Sequence, residues 1–453
     1  MPSPSSNAES GLRHHLTAGQ MTMVAVGGSI GTGLLLGTAA AIELAGPAVI
    51  LSFVLAALIS WTVTLALGEL ASTHPAAGSF GVYGDLYLNR YAGFISRAGY
   101  WLVLAFSIGA EMVASATYMQ LWFPHVSPVL WVFVFSFFLL SVNFLGVRSY
   151  ARFEFWFSMI KVAVIASFIL LGAALLLTGR VAPQYTTHGG FFPLGIAAPL
   201  LAITFAIYTF AGVESVAIAS GESSSAEAVG RATRMTILTL TFLYLGAVII
   251  LVGVMPWNRA GVTESPFVTV FRSVNIPGAA HFMNFVVLSA ALSGANAALY
   301  FCSRMLFSLA RTEWAPAALG RLSAKGIPTL ALLASSYGII VALGLELWAP
   351  AKAFEYILRG ALFGVMLCWI ISLAAHINFR RQLTTAQTAD IPARSPLGKW
   401  GSIIGLVVVL AAVGKTWWDS RVNLIAGLTL LIALTILYYW LRPNPVHRRN
   451  ETD

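Results

Sequence analysis

Charge is what this chain has least of. Only 9% of its 453 residues are Asp, Glu, Lys or Arg, against about 25% in an ordinary soluble domain. Hydrophobic residues make up 58%, and the mean hydropathy is +0.82. That balance excludes a soluble domain on a single anchor and leaves a helical membrane protein with many spans. Cysteine is nearly absent as well. Cys302 and Cys368 both sit in apolar runs, too few and too isolated for a disulfide framework or a metal site. No His-Glu-x-x-His and no phosphate-binding loop is present, which argues against an ATP-driven pump; no metal or organic cofactor is expected. The polar, Ser/Pro-rich stretch Met1 to Gly11 is not followed directly by a signal-peptide core, so the first membrane helix itself directs insertion. The net charge of +9 does not imply nucleic acid, because Lys and Arg are scattered through short loops, as membrane topology demands.

What is present is a series of apolar runs. Twelve can be counted: Gln20–Leu44, Pro47–Ala71, Ile95–Trp122, Val129–Leu145, Phe153–Leu177, Ile196–Ala219, Met235–Val254, Ala279–Ala310, Thr329–Leu347, Ala353–Phe379, Gly401–Trp418 and Val422–Leu441. The expected fold class is an all-α polytopic membrane protein of twelve transmembrane helices. Basic residues crowd one side, among them Arg90, Arg97, Arg148, Arg231, Arg234, Arg311, Arg380 and Arg394. The other side has Arg180, Arg259, Arg272, Lys352, Arg359, Lys415 and Arg421. The richer side faces the cytoplasm, so both termini are expected there. Aromatic clusters such as Trp122-Phe123 and Tyr438-Tyr439-Trp440 fall at the ends of runs, as interfacial belts do. The expected organisation is a disordered cytoplasmic tail over 1–19, a core over 20–379, a plain cytoplasmic connector over 380–400, two further helices over 401–441 and a tail over 442–453. The Gly-rich loop His74 to Phe94 is expected along the cytoplasmic surface.

Within the first run lies Gly27-Gly28-Ser29-Ile30-Gly31-Thr32-Gly33. Each of its four glycines disfavours helix by up to about 1 kcal/mol relative to alanine. Hydrocarbon cannot satisfy an unwound backbone, so a break here must be buried in protein or line a polar cavity. Close helix packing through small residues is the alternative. The sixth run carries a second interruption, Tyr208-Thr209-Phe210-Ala211-Gly212-Val213-Glu214. Five spans separate the two, so equivalent halves, about 20–178 and 195–379, would have opposite orientation. Interrupted helices at matching positions of inverted halves mark the binding site of a secondary transporter. The stretch also matches Gly-x-Ser-x-Gly, but a hydrolase elbow needs a strand, a helix and a His partner, and the flanks here are membrane helix.

Several stretches, in this order, carry a family resemblance. They are the glycine stretch, Ala45-Gly46-Pro47-Ala48, Ala66-Leu67-Gly68-Glu69-Leu70, His74-Pro75 with Gly78-Ser79-Phe80, and Glu154-Phe155-Trp156-Phe157-Ser158-Met159-Ile160-Lys161. They continue with Gly212-Val213-Glu214, Gly221-Glu222, Met255-Pro256-Trp257-Asn258 and Ser303-Arg304-Met305-Leu306. Over nearly its whole length the chain resembles the amino acid transporter family of the amino acid–polyamine–organocation (APC) superfamily. The resemblance implies a five-plus-five inverted repeat of the LeuT kind with two extra helices, and proton-linked uptake of an amino acid. The chain departs from the family after Gly221-Glu222, where Ser223 to Gly230 lacks the usual prolines; the shape of that loop is left open.

A zwitterion offers one carboxylate and one ammonium. A half-helix beginning near Gly31-Thr32-Gly33 presents free N–H groups and a positive dipole end to the carboxylate, and glycine lets the ligand approach closely. The resemblance implies that the ammonium meets carbonyls of Ser29, Tyr208 and Ala211 beside Gly212, under an aromatic lid, Phe210. Ordinary packing is the bland alternative for Phe210. Lys161 lies about 12 Å along its run, at 1.5 Å per residue, far for snorkelling. Burial favours the neutral amine, so Lys161 is expected to bond carbonyls of Gly28 or Ser29 and to couple its proton to substrate occupancy. Glu111 either lines the side-chain pocket or partners Lys161. Glu214, just past the second break, either holds the first break by its N–H groups or makes a structural contact. Glu69 is expected at a gate or in solvent; Ser293 and Asn296 face the site or bond within the core.

The reading that follows is an amino acid–proton symporter in a bacterial inner membrane, with no enzymatic activity and no obligate protein partner evident. An exchanger is the variant within that class. A sensor on the same fold would be expected to carry long cytoplasmic extensions, which these short tails lack. The scarcity of charge near the pocket favours a neutral, apolar or aromatic amino acid, although Glu111 leaves a cationic one open.

Overall fold

A backbone that crosses lipid has to satisfy its own hydrogen bonds, so apolar runs of this length fold as helices. The computed structural model describes residues 16–35, 37–144, 147–259, 267–268, 270, 278–348, 353–419 and 421–441. The first membrane segment is divided into α1 Ala18–Ser29, α2 Thr32–Leu35 and α3 Gly37–Ala45. There follow α4 Val49–Thr73, α5 Ser79–Tyr87, α6 Arg90–Met119, α7 Pro128–Asn143 and α8 Val147–Leu177. A second divided segment comprises α9 Ala198–Thr209 and α10 Ser215–Ala219, and α11 Ala226–Val254 and α12 Ala279–Arg311 come next. The remainder are α13 Thr329–Ser335, α14 Tyr337–Trp348, α15 Ala353–Gln382, α16 Thr385–Ala389, α17 Gly398–Asp419 and α18 Arg421–Leu441.

Among the described residues, seven helical stretches are long and apolar enough to cross a membrane: Gly37–Thr73, Arg90–Met119, Tyr150–Leu177, Ala226–Val254, His281–Arg311, Phe363–Gln382 and Gly398–Lys415. Shorter apolar helices, such as Pro128–Asn143 and Ala198–Thr209, accompany them. The chain is therefore an all-helical, polytopic membrane protein. Helices α6 and α12 form its centre: they pack most extensively on each other, and α15 covers α6. Phe133, Phe137, Leu170, Leu238 and Phe242 point outward, an apolar exterior that water would penalise and a bilayer accepts.

Local signals set the helix ends. Thr17 caps α1 in a reciprocal box with Gln20, Asn89 caps α6 through the Ala92 N–H, and Ser225 caps α11 through the Ala228 N–H. Ser225 thus ends the loop left open above and starts α11. Leu16, inside the expected N-terminal tail, is buried and pairs with the loop after α10: Leu16 N–H donates to Glu222 O at 2.9 Å, and Ser224 N–H to Leu16 O at 3.0 Å. Residues 1–15 and 442–453 lie outside the described residues.

The structure adds to two loop expectations. The segment after His74 does not merely line a surface, because α5 buries Phe80, Tyr83 and Tyr87 against α6 and α15. The connector after α15 is not plain either. The Ser395 N–H donates to Glu69 Oε2 at 2.6 Å, which clamps the connector to the end of α4.

Candidate functional site

The glycine stretch is broken where its density predicts. Helical bonding in α1 persists to the Ile30 N–H, which reaches Val26 O at 2.9 Å; Gly31 N–H turns back to Ser29 O, and a new turn begins at Thr32. In the second segment α9 stops at Thr209, Phe210 to Glu214 form turns, and Gly212 has φ +103°. L side chains rarely adopt that conformation. A side chain at Gly212 would also collide with the backbone of Ser29 and Gly28. The two interruptions therefore touch. They are stitched by Thr209 Oγ1 donating to Gly33 O at 3.2 Å, and Tyr244 Oη on α11 donates to Ser29 O at 2.7 Å.

Between the breaks lies a cavity of about 50 Å³, room for a few waters. Ser29, Gly31, Gly33, Tyr208, Ala211 and Gly212 line it from the two breaks. Glu111 on α6 lines it too, its carboxylate lying so close over Gly31 that a methyl group there would meet it. Val103, Leu104, Ala298, Phe301 and Val365 give the cavity an apolar wall. Glu214, Tyr100 and Ser107 line it as well, so a ligand here would meet main-chain groups, two carboxylates, hydroxyls and hydrocarbon. Among the described residues no group of three or more His, Cys, Asp or Glu side chains could hold a metal ion.

Lys161 is fully buried on α8, and its Nζ donates to Gly27 O at 2.6 Å and Ile30 O at 3.0 Å. These flank the Gly28 and Ser29 carbonyls expected from the sequence. The Ser29 carbonyl instead receives Tyr244. Glu154, two helical turns before Lys161 and so on the same face of α8, is buried beside Gly27. Its carboxylate accepts from Ser293 Oγ and, at 3.2 Å, from Asn296 Nδ2. Asn296 Oδ1 accepts from Asn143. Ser293 and Asn296 thus serve this core network and do not line the cavity.

Three other expectations change. Phe210 is no lid over this cavity: it is buried with its ring 4.9 Å from that of Tyr244, because the turn after α9 directs it toward α11. Tyr100, Tyr208 and Phe301 are the rings that line the cavity instead. Glu214 does not take N–H groups from the first break. It accepts from Tyr100 Oη at 2.6 Å, from Trp369 Nε1 at 3.2 Å and from the Gly212 N–H at 3.1 Å, so it braces its own break against α6 and α15. Glu69 is fully buried rather than solvated, paired with Arg380 and His376 of α15. The Tyr208 carbonyl takes the Ala211 N–H at 2.9 Å. The side chain of Thr32 lies outside the described residues.

Sequence reasoning passed over Tyr100, Glu154, Tyr244, Phe301 and Trp369 as individual site residues. Only Glu154 carried a signal of its own, a second intramembrane charge seven residues from Lys161.

Comparison with known proteins agrees with this architecture. The family model described as amino acid permease matches residues 20–442. The uncharacterized amino acid permease YtnA of Bacillus subtilis is 34% identical over 441 residues, covering 94% of this chain and 95% of that protein. The γ-aminobutyric acid permease of Bacillus subtilis is 35% identical, covering 83% and 82% respectively. The aromatic amino acid transport protein AroP of Escherichia coli K12 is 33% identical, covering 89% and 90%. With touching helix breaks around a small cavity and a match over almost its entire length, the chain belongs to the amino acid permease family of the APC superfamily, a family of membrane transporters and not of enzymes.

Proposed function

We propose that this permease imports a neutral amino acid with an apolar or aromatic side chain together with a proton, by alternating access across a bacterial inner membrane. The observation that carries the reading is the meeting of two interrupted helices over the cavity, with Lys161 bonded to carbonyls on both sides of the first break. The half-helix from Thr32 offers its first amides and positive dipole end to the substrate carboxylate. Ser29, Tyr208, Ala211 and Gly212 offer backbone to the ammonium. The wall of Val103, Leu104, Phe301 and Val365 takes the side chain, and Glu111 stands at its edge. The cavity has room for a few waters, so admitting an amino acid requires the bundle to open, as alternating access demands.

In this reading twelve spans form two inverted halves, 20–178 and 195–379, joined by the connector 380–400 to two further helices over 401–441. Both termini are cytoplasmic, and the proton is the coupling ion. Glu214 and Glu69 brace the helices that must move past one another. The names of the relatives include aromatic amino acids and γ-aminobutyric acid, so the side-chain preference rests on the cavity wall.

The test is thermal stabilisation of the purified protein by each of the twenty amino acids, followed by flux in proteoliposomes at two pH gradients. Stabilisation by one or a few neutral amino acids, with flux that follows the gradient, is expected. Stabilisation by lysine or arginine alone would overturn the substrate class, and flux indifferent to the gradient would overturn the coupling.

A further inference from the structure

A second cavity, of about 130 Å³, lies away from the helix breaks on the outer face of the bundle. Its walls are Trp61 and Leu65 of α4, Ile237 and Leu238 of α11, and the connector near Pro396. Arg234 and Arg394 also line it; both are solvent-exposed, and neither pairs with a carboxylate among the described residues. The site is built rather than loose. Ala393 packs on Gly230 of α11, and the next-but-one residue, Ser395, is held through its N–H by buried Glu69. Trp61 is fixed by its Nε1–H, which donates to Thr241 Oγ1 at 2.8 Å.

Depth along the helices gives the cavity a polarity. Arg234 lies about 12 Å from the start of α11, and Trp61 about 18 Å from the end of α4, at 1.5 Å per residue. Arg234 therefore lies about 6 Å nearer the start of α11 than Leu238. Its long side chain reaches toward the headgroups by snorkelling, while the Trp61–Leu238 end lies at acyl-chain depth. Leu238 is 54% exposed and opens that end toward the surrounding membrane. Two guanidinium forks above a hydrocarbon slot match a phosphodiester above an acyl chain in charge and in shape. Basic pockets between transmembrane helices bind anionic headgroups by this logic.

We propose that this cavity is a binding site for one anionic phospholipid, whose phosphate bridges Arg234 and Arg394 and whose acyl chain runs down past Leu65 and Leu238. Bound there, the lipid ties α11 to the connector that Glu69 holds against α4 and α15. The site is independent of the amino acid cavity, and its occupancy can be read without transport.

Native mass spectrometry of the delipidated full-length protein tests it, with phosphatidylglycerol and phosphatidylcholine added in separate mixed micelles. Each arginine near an anionic headgroup favours it by about 1 kcal/mol, so wild type is expected to retain phosphatidylglycerol about thirtyfold better than phosphatidylcholine. The double variant R234Q/R394Q is expected to lose that preference. Leu65→Trp, which fills the slot and leaves both charges in place, is expected to lose retention while its thermal midpoint shows it folded. The control Arg321→Gln, an exposed arginine elsewhere, keeps the wild-type preference. Equal loss in Arg321→Gln would reduce the effect to diffuse surface charge, and an unchanged preference in R234Q/R394Q would place the lipid elsewhere. Displacement by millimolar inorganic phosphate would show a free-anion site. Any of these three results overturns the proposal.

Discussion

If Lys161 carries the coupling proton as proposed, replacing it by glutamine is expected to separate transport from coupling. The ammonium donates two charge-assisted hydrogen bonds, at 2.6 Å to Gly27 O and 3.0 Å to Ile30 O, across the first break. Such bonds contribute about 1.5–3 kcal/mol each. Discharging the lysine therefore weakens the hold on the break by an amount comparable with, or larger than, a gradient of one pH unit, about 1.4 kcal/mol per proton. With one lysine carrying one proton per substrate, an inward gradient of one unit at zero membrane potential supports about tenfold accumulation. Glutamine can still donate to one of these carbonyls but cannot titrate. In proteoliposomes, Lys161→Gln is expected to keep counterflow of labelled substrate while accumulation falls to unity. Accumulation near tenfold by the variant would refute the reasoning, whatever its rate.

Three further outcomes follow from the same geometry. Gly212→Ala forces a methyl group into the backbone of Ser29 at φ +103°; a stability loss of at least about 1–3 kcal/mol and loss of uptake are expected, read by thermal unfolding and by flux. Glu69→Gln leaves Arg380 charged and unpaired in a buried cluster, and a cost of about 3–5 kcal/mol should appear as a lower unfolding midpoint. His74, just beyond α4, is held by burial below its ordinary value of 6.5, with Nε2 2.5 Å from Tyr87 Oη. The unfolded chain then takes up a proton near pH 6.5 that the native imidazole refuses. Stability is greatest above that pH and declines below it by up to about 1.4 kcal/mol per unit, and a His74→Gln variant should show a flatter midpoint between pH 7 and 5.

The centre of the site was legible because it depends on composition over a short distance. Four glycines within Gly27 to Gly33 cannot hold a straight helix in lipid, and Lys161, Glu111 and Glu214 stand out as charges in apolar runs. Their partners were not legible. Tyr244 and Trp369 reach the breaks from helices that no local pattern relates to Ser29 or Glu214. The direction of Phe210 depends on the turn that Gly212 permits, and sequence places the glycine without fixing the rotation of its neighbour. Glu154 was the one legible omission, since a carboxylate seven residues before Lys161 lies on the same helical face. The packing of the loop after His74 was not legible either: Gly81, Gly84 and Gly93 let α5 and α6 approach closely enough to pair half-buried Asp85 with Arg97.

The charges divide into two kinds, and the division locates the device. At the Glu69 end of the bundle charges meet their opposites among the described residues: buried Glu69 with Arg380, half-buried Asp85 with buried Arg97, and buried Glu222 with buried Arg304. Removing any of these carboxylates would strand a cation, so they hold helices together. Leu16, bonded to Glu222 O and to the Ser224 N–H, adds the start of α1 to that fixed layer. At the breaks the arrangement is the reverse. Lys161 is bonded to neutral carbonyls, with the Glu154 carboxylate engaged by Ser293 and Asn296 instead. Among the described residues no carboxylate forms an ion pair with Lys161. The proposed proton site thus lies among neutral carbonyls at the break, while the ion pairs tie the neighbouring helices to one another.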